Sequence, residues 1–246
     1  GKVVKKEFKK TSKGLQRFKW NLRYTPQSPI SFARPAFYNP FAGQPEGTLV
    51  NPGTYTVEMS MYNNGEVTSL TSPVSFEVKA LNNTVMPAAD RDSKTEFQRD
   101  VAALASELQI TQRMLSEISN KMRHIKQAIK QAEQPLGGFG TTILAIEGEM
   151  RDISQALYGD QVKRRLDIDQ PATPASRIGS IGYEQKYSTA APTATHLENY
   201  KIAKEEFDII KKQVEQLYKE KVVTLERQLK QAGAPYTPGR ALSTQN

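Results

Sequence analysis

His124 and His196 are the only imidazoles in the chain, and there is no cysteine, so thiolate nucleophiles, thiolate metal sites and disulfides are excluded at once. Neither histidine has a second ligand-type residue at metal spacing. Both read as helix-flank residues rather than as bases. Gly137-Gly138-Phe139-Gly140 has the glycines of a phosphate cradle but lacks the lysine, the following Ser or Thr and the preceding strand of a P-loop. Gly179-Ser180-Ile181-Gly182 lacks the spacing of a nucleophile elbow. Glu147 with Glu149, and Glu205 with Glu206, are too close in sequence to share one side of a helix, so they are surface carboxylates and not an acid/base dyad. No catalytic residue, cofactor site or metal site is expected.

Two other groups of residues are suited to binding. The formal net charge of +8 is concentrated at the start, where Lys2, Lys5, Lys6, Lys9, Lys10, Lys13, Arg17, Lys19 and Arg23 face only Glu7. Lys5, Lys6, Lys9, Lys10 and Lys13 form the candidate basic patch. Such a cluster attracts nucleic acid, an anionic membrane or an acidic partner. Its alternation with apolar residues favours a solvated strand face instead, and no nucleic acid is expected as partner. The second group lies in the insertion from Thr25 to Asn51, where Pro26, Pro29, Pro35, Pro40 and Pro45 stiffen a segment carrying Phe32, Phe37, Tyr38 and Phe41. Loops this long are commonly binding segments or disordered, and these four aromatics are either the candidate partner contacts or a cover folded back over the open end of the β structure.

Positioning such groups requires elements, and residues 1–82 read as β structure. Phe18, Trp20, Leu22 and Tyr24 alternate with Arg17, Lys19, Asn21 and Arg23, which predicts one buried strand face anchored by Trp20. Pro52-Gly53 opens a second alternating run, Thr54 to Met61, and Asn64-Gly65 marks a type I′ hairpin before the return through Val74, Phe76 and Val78. Short strands separated by turns predict an immunoglobulin-like antiparallel β-sandwich over residues 1–82, with the insertion 25–51 inside it.

Residues 90–235 predict an antiparallel helical bundle with two long helices. Asp92 or Ser93 is the expected cap of the first, with Ser93 and Glu96 in capping-box spacing. Val101, Leu104, Leu108, Thr111, Leu115, Ile118, Met122, Ile125 and Ile129 then recur at 3-4 spacing until Pro135 and Gly137-Gly138, a rod of roughly 60 Å. A shorter helix carries Phe139, Ile143, Ile146, Met150, Ile153 and Leu157. Another short helix is expected around Arg177 to Tyr187. The last begins near Thr193 and presents Leu197, Tyr200, Phe207, Ile210, Val214, Leu217, Val222, Leu225 and Leu229 before Gly233 and Pro235. The three stripes are expected to seal against one another within one chain, with Val162, Ile168, Ile178 and Ile181 as further cover, and 236–246 as a flexible tail. No apolar run has the length of a transmembrane segment.

The run Lys13-Gly14-Leu15-Gln16-Arg17-Phe18-Lys19-Trp20-Asn21-Leu22-Arg23-Tyr24, the motif Asn51-Pro52-Gly53-Thr54-Tyr55-Thr56-Val57 and a helical segment ending at Leu229 to Pro235 resemble the C-terminal region of bacterial sortilin-type propeller proteins. These are also labelled bacterial-neuraminidase-repeat or glycosyl-hydrolase-like proteins. The resemblance spans most of the chain and departs from the family pattern at the insertion 25–51. It implies an upstream propeller domain of the same parent, an extracytoplasmic place in a Gram-negative bacterium and a partner in an envelope assembly. The family's enzymatic label rests on the propeller, so no catalytic residue carries over. It also implies that the chain is a fragment whose sandwich edge is completed by another strand.

These readings converge on a non-catalytic structural and protein-interaction module. The alternatives are an accessory module of a sialidase-like glycan hydrolase and a basic module for anionic surfaces or nucleic acid.

Overall fold

In the computed structural model, residues 1–32, 39–40, 45–81, 83–133 and 136–239 are described. The order is β1 (Gly53–Val57), β2 (Ser60–Asn63), β3 (Glu66–Ser69), β4 (Val74–Val78), α1 (Arg91–Lys130), α2 (Phe139–Tyr158), α3 (Gln161–Arg165), α4 (Pro174–Gln185), α5 (Ala194–Gln216), a π-helical turn (Leu217–Val222) and α6 (Val223–Gln231). The chain forms two compact units. The first comprises Gly1–Gln27, Arg34–Asp100 and Glu184–Pro192, and the second comprises Ser28–Ala33, Val101–Tyr183 and Thr193–Asn246.

The expected immunoglobulin-like sandwich is not formed. Among the described residues helices take 51%, and the strands make only two antiparallel two-stranded ladders, β1 with β4 and β2 with β3. Asn64 (φ 49°) and Gly65 (φ 92°) make the expected tight turn. The run expected from Thr54 to Met61 is broken after Val57, where the Met59 amide takes the Thr71 hydroxyl as acceptor at 3.1 Å in place of a ladder carbonyl. The earlier run fails at Leu22, whose φ of 56° is left-handed, and pairs only through the Arg23–Leu49 bridge. A second layer is therefore absent among the described residues, and the alternating apolar side chains find no sheet to cover. Val57, Met61, Val67 and Val74 stay exposed.

What core the first unit has is small. Trp20 is its anchor, meeting Tyr55 and Phe76 edge-on at ring-centroid distances of 5.4 and 6.0 Å and giving its indole N–H to the Arg23 carbonyl at 2.9 Å. Val50, Ala88 and Phe97 are buried nearby in the same unit. Asn51 ties strand to helix: its amide donates to Asp92 Oδ1 at 2.6 Å, and its Oδ1 accepts from the Thr95 hydroxyl at 2.7 Å. Lys94 donates to the Ser188 carbonyl at 3.0 Å, and burial lowers its pKa, with Arg91 adding to the shift.

The cap of α1 is Asp90, two residues before Asp92 and three before Ser93. Its Oδ1 accepts the Asp92 and Ser93 amides at 2.9 and 3.0 Å, and its Oδ2 accepts the Ser93 hydroxyl at 2.6 Å. From Val101 to Ile125 the predicted stripe is buried throughout, Thr111 included, whereas Ile129 is half-buried and Ala128 takes the seam.

In the second unit α2 buries Ile143, Ile146, Ile153 and Leu157, and α4 buries Ile178 and Ile181. Val162 and Ile168 remain exposed, as does Leu197 at the start of α5, where Ala203 occupies the seam. Thr193 caps α5 in a reciprocal box with His196. The two long helices are not antiparallel to each other. Glu107 of α1 meets Lys211 of α5, and Lys121 meets Glu226 of α6, each at 2.7 Å, and this near-constant offset means that α1 and α5–α6 run the same way. The shorter helices provide the return. Lys126, near the end of α1, pairs with Glu147 in the first half of α2, while Gly182 near the end of α4 approaches Val101. End to end, α2 and α4 cover most of the length of α1 at 1.5 Å per residue, so the chain is back at the start of the rod before α5 begins.

Candidate interaction surface

The chain's charge asymmetry becomes a local feature once the N-terminal segment is placed. Nine of the 34 basic residues and one of the 26 acidic ones precede Tyr24, leaving 25 of each sign for everything after Arg23. Residues 1–25 double back on themselves around Gly14 (φ 95°). The Val4 carbonyl accepts the Thr25 amide at 3.2 Å, Lys5 reaches Asn21 Oδ1 and Lys9 reaches the Arg17 carbonyl, both at 3.4 Å. That is the course of a loose antiparallel hairpin with all the excess positive charge on it.

The five lysines of the patch are not equivalent. Lys5 is neutralised by Glu7 at 2.7 Å, and the Lys9 ammonium lies 5.7 Å from the centre of the Phe18 ring. Lys6, Lys10 and Lys13 are exposed with no anionic partner among the described residues. Phe8 and Leu15 are exposed among them.

The insertion is closed at its base. Tyr24 N–H donates to the Thr48 carbonyl and Val50 N–H to the Leu22 carbonyl, both at 2.9 Å, while Arg23 donates to the Gly47 carbonyl at 3.0 Å and faces Glu46. Gly47 is required there, because a Cβ at this position would lie 2.1 Å from the Tyr24 carbonyl oxygen. In the second unit Arg113 of α1 holds the Ile30 carbonyl at 2.6 Å and the Pro29 carbonyl at 3.4 Å. Two residues further on, Phe32 is 96% exposed. Phe37, Tyr38 and Phe41 lie outside the described residues.

The exposed ribbon was missed in the sequence because its alternation reads as a buried face. Val57, Met59, Met61, Tyr62, Val67, Leu70 and Val74 all stand in solvent. Its signal was the spacing of turn residues, which leaves strands of only four or five residues. Arg113 carried no sequence signal, since nothing in its surroundings distinguishes it from other helix-surface arginines.

No protein-family model, curated protein or solved structure matches the chain.

Within the second unit, the seam between α1 and α2 opens into a groove of about 440 Å³, bordered by Leu115, Met122, Met150, Glu147, Arg151 and Tyr158. Burial raises the Tyr158 pKa, so the phenol is neutral at physiological pH. Glu147 is engaged by Lys126. His124 Nδ1 lies 2.8 Å from the Asn120 carbonyl, and His196 caps α5, which gives both imidazoles local structural work. Among the described residues no cluster of His, Asp or Glu is arranged to hold a metal, and no helix is long and apolar enough to cross a membrane.

Proposed function

We propose that the chain is a non-catalytic structural and protein-interaction module of a larger exported protein. On the resemblance stated above, that parent carries an upstream propeller and belongs to a bacterial cell-envelope assembly outside the cytoplasm. The observation that carries the interaction reading is the ribbon β1–β4, which leaves seven large apolar side chains from Val57 to Val74 exposed. An isolated two-stranded ribbon is marginal in water, and contiguous exposed apolar surface of this kind marks contact sites. The Arg113 latch supports the same reading, because it ties Pro29 and Ile30 to α1 two residues before the exposed Phe32.

Affinity isolation of the native protein, with intact mass, identifies its companions. Tyr62→Glu combined with Val67→Glu, and separately deletion of Phe32 to Phe41, are each expected to lose those companions while the far-ultraviolet signal of the helices is unchanged. Companions retained by both variants would remove the interaction role. The accessory-module alternative predicts hydrolysis of sialylated glycans by the native parent, and inactivity there removes it.

A further inference from the structure

The basic hairpin has an unsatisfied backbone as well as unsatisfied charge. Among the described residues no hydrogen bond reaches the main chain of residues 5–11, although the segment runs beside residues 17–21 and is solvent-exposed along most of its length. A row of free N–H and C=O groups on an extended segment is a template for strand addition. Lys5 and Lys9 both reach toward residues 17–21, as side chains four apart on an extended chain must, so Lys6, Phe8 and Lys10 fall on the opposite side. There Phe8 is 82% exposed between two lysines that no described carboxylate neutralises.

We propose that residues 5–11 are the docking edge for an acidic, extended polypeptide segment that adds as a strand and sets two carboxylates, about 13 Å apart, on Lys6 and Lys10 with an apolar residue over Phe8. The inference rests on the interaction-module reading and names a partner class for it. Charge complementarity selects an acidic partner, since the first 23 residues hold the whole net charge of the chain and their mutual repulsion is relieved by an anion. Unpaired main chain selects a polypeptide over a polyphosphate.

The test uses the full chain and a fluorescent peptide containing Glu-Thr-Val-Thr-Glu, read by anisotropy at physiological salt. Three comparison probes are the same peptide N-methylated at alternate amides, a single-stranded oligonucleotide of equal charge, and phosphatidylglycerol vesicles. Lys6→Gln with Lys10→Gln is expected to weaken peptide binding about fivefold to tenfold, whereas Lys5→Gln, whose charge is already met by Glu7, stays within about twofold. The N-methylated peptide is expected to lose at least about fivefold, because it keeps the charge and forfeits the ladder. Equal binding of the methylated peptide, an unchanged double variant, or tighter binding of oligonucleotide or vesicle than of peptide overturns the proposal. If the peptide fails while the ribbon variants still lose the native companions, the module reading stands and this docking edge falls.

Discussion

The parallel course of α1 and α5–α6 hangs on two charge pairs, and the more buried of them offers a sharp test. Lys121 and Glu226 meet at 2.7 Å with side chains only 17% and 11% exposed. Replacing Glu226 with Leu leaves an ammonium facing a largely dry seam without its counter-charge, and Lys121→Met strands the carboxylate in the same way. Breaking a fully buried pair costs about 3–5 kcal/mol, and the residual exposure here reduces that to about 2–3 kcal/mol for each single change. Removing both charges, with Met opposite Leu, refills the seam with apolar atoms and is expected to cost no more than about 1 kcal/mol. The singles then sum to about 3 kcal/mol or more beyond the double. Urea titration followed by far-ultraviolet circular dichroism gives all four corners of the cycle. The Lys211–Glu107 pair lies on the same offset but is nearly half-exposed, so its coupling is expected below about 1 kcal/mol. Additivity within about 0.5 kcal/mol at Lys121 and Glu226 would mean that both charges are in water, and the parallel register would be wrong.

Phe207 is fully buried on α5, so Phe207→Ala is expected to cost about 3–5 kcal/mol in the same titration, and a loss under about 1 kcal/mol would place it outside the core. Hydrogen bonds from the Ser93 hydroxyl and amide, then from the Asp92 amide, hold the Asp90 carboxyl below the ordinary aspartate range. Its contribution is therefore complete above that range and is lost as pH falls through the folded value. Asp90→Ala should accordingly be less stable than the parent at neutral pH and indistinguishable from it in strong acid; a gap that widens on acidification refutes the cap. Gly47→Ala forces a methyl into the Tyr24 carbonyl and should open the base of the insertion, costing at least about 1–3 kcal/mol locally. Faster amide exchange at Tyr24 and Val50, with α1 and α5 unaffected, is the readout.

The helical part was readable because one period decided it. Residues 101–125 keep a 3-4 repeat that only one face of a helix satisfies, and the same side chains are buried. What the period does not carry is direction. Short connections suggest that consecutive helices oppose each other, which α1 and α2 do, but α2 and α4 together make one return stroke and so set the two long rods parallel. The β region shows the opposite limitation. Alternation reports that a strand could bury one face, and says nothing about whether a second layer exists to receive it. At Leu22 a left-handed backbone ends the pattern in spite of an apolar residue in phase. Of the candidate site, the basic cluster was legible in composition, whereas composition left open whether Phe32 stands in solvent or folds back. The division of the lysines into engaged and free ones was not, because it depends on Glu7, Phe18 and Arg17 meeting them across a fold.

The π turn explains how a rod of this length stays in phase with its seam. Along α5 the buried residues Phe207, Ile210, Val214 and Leu217 follow the usual steps, then the next, Val222, comes five positions later. The Val223 amide reaches the Tyr218 carbonyl across the same five-residue step. One surplus residue is thus swallowed by a local bulge, and Leu225 and Leu229 land on the side they would otherwise have rotated away from. The bulge works like a leap day, a correction inserted once so that two unequal periods agree again. Excising a single position between Tyr218 and Lys221 should therefore return the rod to ordinary winding with its inner edge intact, whereas the same excision a turn earlier would leave everything downstream facing the wrong way.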